Sequence, residues 1–318
     1  MKNENSTIGK EQECGDSSRG EPIHDPLAQC LLDDVRSLCS RNRAVGSEGL
    51  AATCRMIASR LEKEASNAPK VLHATFSREA WPYGMTQLEN LYFSIGHDKP
   101  ELPLVIIGAH YDAVSGSPGA DDNASSAAVL LELAHFLAST SATLPVRVDL
   151  AFWGGEEAPV FASCNMGSHR HAASSRKRGE SPVLVMVLEM LGFYTGIQEV
   201  RSVRCRLDDG SAITAILPEC GDFLLTTGSL PDTISARLSE SLRDNGVTTC
   251  NLGAVTYLHS ICDAMNWLEY PVALITDTGM LRGSTYHTPD DRPELLDYEV
   301  MAKIVRALAS FLAMPKED

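Results

Sequence analysis

The chain has 318 residues, 44% of them hydrophobic and 22% charged, the balance of an ordinary globular protein rather than a disordered, fibrous or membrane-embedded one. Its 42 acidic against 27 basic side chains leave a formal net charge of -15, which argues against nucleic-acid binding, because phosphate contacts want a basic face. No stretch approaches the roughly 18 to 20 uninterrupted apolar residues of a membrane-spanning helix, and the amino terminus lacks an apolar signal core, so a cytoplasmic location and no membrane partner are expected.

Met1 to Pro26 is rich in Glu, Ser, Gly and Asn and reads as a polar, disordered tail, with one folded domain of residues 27–318 behind it. Apolar residues at helical spacing predict amphipathic helices over Leu27–Leu38 and Leu50–Leu61, joined by a polar turn at Arg41–Ser47. Val71–Phe76 and Leu91–Ile95 alternate like strands, and Leu104–Ile107 is a short continuous apolar run, as expected where both faces of a sheet are covered. That run ends at Gly108, Ala109 and His110. A helix over Ala124–Leu137 follows, then a strand at Val146–Trp153 ending at Gly154, Gly155, Glu156 and Glu157, a basic segment at Ser163–Ser181 that reads as a solvated helix or loop, and a strand at Leu184–Leu188 ending at Glu189. The later chain adds a strand at Ala273–Thr276, a loop carrying His287 and a terminal helix over Tyr298–Leu312. Strands alternating with helices predict an α/β fold: a three-layer sandwich with a mixed, mostly parallel central sheet flanked by helices. The nine cysteines show no Cys-x-x-Cys pair and read as reduced thiols.

In open α/β sheets, sites form outside the carboxyl ends of strands, where loops converge on one crevice. His110, the Glu156–Glu157 pair and Glu189 all stand at such ends, and their recurrence at successive strands carries more weight than any one of them. Asp121 and Asp122 lead into an apolar helix. One of them is explained by capping, but two adjacent buried carboxylates are costly unless hydrogen-bonded or bound to a cation. Histidine and carboxylate donors without thiolates suit catalytic Zn or Mn rather than a structural cysteine-rich site.

Five blocks, His110-Tyr111-Asp112, Gly119-Ala120-Asp121-Asp122-Asn123-Ala124-Ser125, Gly155-Glu156-Glu157, Leu188-Glu189-Met190 and Tyr286-His287-Thr288-Pro289-Asp290-Asp291, resemble in order and spacing the M28 metallopeptidases. The resemblance covers roughly Leu104–Leu312 and implies a zinc-exopeptidase fold of the phosphorylase/hydrolase-like kind. It implies two Zn2+ ions, replaceable by Mn2+ or Co2+, bridged by Asp122, with His110 and Glu189 on one and Glu157 and His287 on the other. Two such ions can share and acidify a water, and the resemblance makes Glu156 the general base. It implies that Asp112 orients His110, and that the Tyr286 phenol hydrogen-bonds the developing oxyanion. The implied substrate is a peptide with a free amino terminus. Departures are Glu189 for a more usual Asp, Ser126 for Gly, Ala158-Pro159-Val160 for a Gly-rich continuation, and Cys262-Asp263-Ala264 for a Ser-Asp-His stretch beside the substrate pocket; Tyr194–Val203 and Tyr257–Trp267 are expected to shape that pocket. The alternatives are a glutaminyl cyclase on a similar scaffold, a hydrolase of small N-acyl amides, and a scaffold with a decayed site. The presence of all five ligands and Glu156 speaks against the last.

Overall fold

The computed structural model describes residues 22–141, 143–206, 211–253 and 262–314. Most of the expected tail, residues 1–21, and the first part of the second expected pocket loop, residues 257–261, lie outside the described residues. At residues 24 and 25 the main chain is already tied down: His24 N and Asp25 N donate to Glu299 Oε1 at 3.0 and 3.2 Å.

Helix α1 spans Pro26–Cys39, with proline at its first turn and the Asp25 carboxylate accepting from Leu27 N. Helix α2, Glu48–Asn67, is longer than its apolar spacing alone predicts and is capped by Ser47. The strand expected from Val71 begins later. Lys70–Leu72 forms a single 3-10 turn that ends in a left-handed His73, and β1 runs Thr75–Tyr83. It makes a hairpin with β2, Thr86–Ile95. Then follow β3 (Leu104–His110), α3 (Ser126–Ser139), β4 (Arg147–Trp153), α4 (Gly167–Arg178) and β5 (Leu184–Glu189). The basic segment read as a solvated helix or loop is a helix, but with one buried face, since His171, Ala172 and Ser175 are inside. A small hairpin, β6 (Ser202–Arg206) with β7 (Ala212–Ile216), stands apart from the main sheet. The chain finishes with β8 (Leu224–Ser229), α5 (Asp232–Asp244), β9 (Thr249–Asn251), β10 (Val272–Thr276), the single turn α6 (Gly279–Arg282) and α7 (Tyr298–Ala313), capped by Asp297.

Among the described residues the main sheet has eight strands in the order β1-β2-β4-β3-β5-β10-β8-β9. β4, β3, β5 and β10 run parallel as a central block, and β8 pairs antiparallel with β10. This is the expected three-layer sandwich with a mixed, mostly parallel sheet. One face packs against α1, α2, α3, α5 and α7, through residues such as Leu31, Ile57, Leu130, Leu242 and Ile304. The other is covered by α4 and a 3-10 segment, Asp263–Trp267, around Trp153 and Trp267. Gly108 makes room for that second layer: a Cβ there would stand 2.2 Å from the Trp153 ring. Registers His110↔Trp153 and Glu189↔Thr276 bring the carboxyl ends of β3, β4, β5 and β10 to one edge.

Among the described residues no helix is long and apolar enough to cross a membrane. Among the described residues Cys30, Cys39, Cys54, Cys164 and Cys250 are free thiols, but Cys220 is disulfide-bonded, which corrects the expectation that every cysteine is reduced.

Candidate metal centre

His110 is the last residue of β3 and Glu189 the last of β5, and pairing with Trp153 and Thr276 within the sheet fixes them. Glu156 and Glu157 lie in the loop leaving β4. That loop is held by Asp112, whose Oδ1 accepts from Gly155 N (3.1 Å) and Glu156 N (3.0 Å) and whose Oδ2 accepts from Glu157 N (2.9 Å). Toward His110 Nδ1 the same Oδ1 stands at 3.5 Å, an ion-pair distance too long for a formed hydrogen bond. Asp112 thus does more for the glutamate loop than the expected orientation of one imidazole.

Asp121 and Asp122 do not cap α3. They sit in a distorted turn, Ala120–Ser125, with non-helical backbone at Asp122 and Asn123 and a cis Asp122–Asn123 peptide. Asn123 locks this turn to the end of β5, its Nδ2 donating to Leu188 O at 3.0 Å and its Oδ1 accepting from Met190 N at 3.1 Å. His287 has left-handed backbone, φ 58°, in the turn Thr285–Thr288. A non-glycine residue so placed is uncommon and recurs at functional sites.

These segments bring all five predicted ligands together. Asp122 Oδ1 is 3.3 Å from His110 Nε2, which is also 3.3 Å from Glu189 Oε1. The other oxygen, Asp122 Oδ2, is 3.1 Å from His287 Nε2, itself 3.4 Å from Glu157 Oε1. Each histidine lies between one oxygen of a shared aspartate and one glutamate. Two groups, His110 with Asp122 and Glu189, and Asp122 with Glu157 and His287, have donor atoms all within 4.8 Å of one another. Four of the five are buried and His287 is at the rim.

The electrostatics suit a cation. Burial opposes ionisation of Asp122, but contacts with both imidazoles outweigh it and hold the carboxyl below the ordinary range. Hydrogen bonds to Asp122 and Glu157 push His287 up to about 10, while Glu189 and the two aspartates raise His110 in spite of its burial. Burial pushes Glu189 up to about 7 and raises Glu157 as well. Among the described residues, Glu157 Oε1 and Glu189 Oε2 are buried without a hydrogen-bond donor. A buried carboxylate oxygen so left is costly, and a divalent ion at each group would satisfy it. The residues present therefore fit two zinc-like ions, with hard oxygen and imidazole donors and no thiolate.

Glu156 is buried, and that burial, reinforced by Asp263, Glu189 and Glu157 and opposed by His110, raises its carboxyl well above the ordinary range. The Tyr286 ring stacks on His287 at 3.8 Å between centroids, and burial followed by the surrounding carboxylates raises its phenol. Sequence reasoning gave no role to Asp263, which accepts from Ser168 Oγ at 2.5 Å, nor to Asp291, which accepts from Asp121 N (2.8 Å) and Asp122 N (3.1 Å). Both stand in motifs that were singled out, but only their partners, far along the chain, show what they hold. A narrow space beside Glu189, lined by Cys262, Leu274, Thr276, Thr278, Met280 and Leu281, adjoins the centre. A larger cavity of about 680 Å³ opens at the other end of the strands, between Val105, Leu184, Ile234 and Phe311, with Arg237 the only ionisable group among its described lining residues. Chemistry rather than cavity size marks the site.

The model of peptidase family M28 matches residues 90–312. Uncharacterized protein YfbL of Escherichia coli (strain K12) is 35% identical over 225 residues, 66% of this chain and 66% of its own. The chain spans no more than about two thirds of the length of the curated relatives it matches. Among solved structures, LapA aminopeptidase of Legionella pneumophila superposes with a TM-score of 0.66 at 20% identity, covering 100% of this chain and 81% of that one. Fimbriiglobus ruber glutaminyl cyclase superposes at 0.65 and 17% identity, covering 93% and 98%. At such identities the likeness shows the fold, which zinc exopeptidases share.

Proposed function

Because this chain belongs to peptidase family M28, we propose that it is a metal-dependent exopeptidase that removes amino-terminal residues from peptides, with His110, Asp122 and Glu189 holding one zinc ion and Asp122, Glu157 and His287 the other. The observation that carries the reading is the division of labour at Asp122, whose two oxygens face two different histidines, each completed by its own glutamate. When bound, the two ions supply Lewis acidity and a water acid enough to be deprotonated near neutral pH.

The chain's own residues do the rest. Glu156 takes a proton from the attacking water at its carboxylate and passes it to the departing amine. Asp112 keeps that carboxylate in place through the amides of residues 155–157. Tyr286, at the rim beside His287, donates its phenol to the oxygen on which charge develops. The substrate ammonium is drawn to the carboxylate-rich floor, Glu189 foremost, so that a free amino terminus is selected by charge pairing.

The test is mass spectrometry of a peptide mixture incubated with the zinc-loaded protein, including free-amine, N-acetylated and amino-terminal glutamine members. Loss of the first residue from free-amine peptides alone is the expected result. Loss of ammonia alone from the glutamine member replaces this reading with a cyclase, and survival of every peptide moves the search to small N-acyl amides.

A further inference from the structure

One buried guanidinium ties together the two ends of the loop that separates His110 from Asp122. Arg43, in the turn between α1 and α2, is 1% exposed, and all three of its side-chain nitrogens donate to main-chain carbonyls: Nε to Tyr111 O at 3.0 Å, Nη1 to Pro118 O at 2.9 Å and Nη2 to Gly119 O at 2.8 Å. Its own carbonyl accepts from Ala113 N at 3.3 Å. Tyr111 directly follows His110, and Gly119 comes three residues before Asp122, so the clamp spans the whole connection between two proposed ligands. Gly119 shows how closely the chain is drawn onto it. The residue has φ +61°, and a Cβ there would stand 2.9 Å from Arg43 Nη2 and 2.3 Å from Asp122 O.

The other side of the same chain is gripped by the opposite charge. Asp291 accepts from the amides of Asp121 and Asp122, and its main-chain oxygen accepts from Ala120 N at 3.3 Å. Carbonyls therefore point at a cation and amides at an anion, which fixes the direction in which the chain enters Asp122. A planar five-donor fork can hold three carbonyls at once in a way that a lysine ammonium on a flexible stem does not reproduce. Burying such a charge is costly, and the structure spends it on the loop between two ligands rather than on a surface ion pair.

We propose that Arg43 is a positioning residue of the metal centre: it sets where His110 and Asp122 stand relative to each other, although it lies well ahead of the span, residues 90–312, that the family model matches. The proposal rests on the metal-site reading above. It means that the α1–α2 turn, outside the matched span, is part of the machinery that holds metal.

The test uses the full chain as wild type, Arg43→Gln and Arg43→Lys, with three measurements: zinc affinity by competition with a chromophoric chelator, the visible spectrum of the Co2+-loaded protein, and thermal unfolding of the metal-free protein. In Arg43→Gln zinc affinity is expected to fall about 10- to 100-fold, the range for losing an outer support of a metal ligand. The Co2+ spectrum changes with it, while the metal-free protein still unfolds cooperatively; Arg43→Lys recovers only part of the affinity. Wild-type affinity with an unchanged Co2+ spectrum in both variants overturns the proposal. If Arg43→Gln does not fold, Arg43→Lys decides on the same criterion. A wild-type protein that binds neither ion removes the metal-site reading itself, and the proposal with it.

Discussion

Glu156 and Glu157 are neighbours with identical side chains, and what separates their assignments is the company each keeps. Glu157 stands 3.4 Å from His287, whereas Glu156 has no histidine within ion-pair distance among the described residues. Glu156→Gln keeps the shape and removes the base, so turnover is expected to fall by about 10²- to 10⁴-fold, with zinc content by elemental analysis unchanged. Parallel loss of zinc would make the residue structural. His171 offers a test away from the site. Its ring packs among Tyr92, Trp153 and Trp267, and Trp153 Nε1 donates to its Nδ1 at 3.2 Å, so the neutral tautomer carries its proton on Nε2. Burial lowers its pKa to about 4. A histidine whose pKa is lower folded than unfolded gives its full stability above the unfolded value of about 6.5, and that stability is lost as pH falls toward 4, about 3 kcal/mol in all. Urea unfolding of His171→Gln should therefore show a drop between pH 7 and pH 4.5 that is smaller than the wild-type drop by about 2 kcal/mol. Equal drops would mean that His171 is not the group responsible. His110 and Glu189 were legible in the sequence because each closes an apolar run, and Glu157 because it follows one after two glycines and Glu156, and strand ends are where α/β sheets gather their chemistry. What Asp112 and Asp291 hold was not, because hydrogen bonds to amides 43 to 45 and 169 to 170 residues away leave no local pattern.

At the scale of elements, the continuous apolar strands and the amphipathic terminal helix could be read almost to the residue, since burial on both faces or on one stripe writes itself into composition. The failures have equally physical causes. Val71 and Leu72 are apolar, but the left-handed His73 turns the chain before β1 can start, and Leu72 fills the core from a 3-10 turn. β8 is buried yet carries Thr226, Thr227 and Gly228, which breaks the hydrophobic run that announces a central strand. Helix α5 did leave a signal, Ile234, Leu238 and Leu242 at spacings of four, and its last two leucines are in the core. The layer contact at Gly108 carries a prediction of its own. Gly108→Ala would push a methyl into the Trp153 ring, and because both sit between packed layers the cost is expected to be about 1–3 kcal/mol, read as a lowered urea midpoint at unchanged m-value. Unchanged stability would mean that the second layer yields freely.

For the molecule as a whole, binding to the folded state alone converts metal affinity into stability. Zinc at 100 times its dissociation constant should add roughly 2.7 kcal/mol, seen as a rise in melting temperature that a chelator reverses. No rise, or a rise without reversal, would argue against a specific site. The proposed ligands enter from five separate stretches of chain, and the last of them, His287, follows His110 by more than half the sequence. During synthesis at about 5–20 residues per second, roughly 10 to 30 s pass between the emergence of the first and the last. A chain that has not yet reached His287 therefore holds every member of only one of the two groups, the one made by His110, Asp122 and Glu189. The order of the ligands along the chain thus sets an order of assembly in time: four of the five stand in the chain before His287 is made, and the second group waits for it.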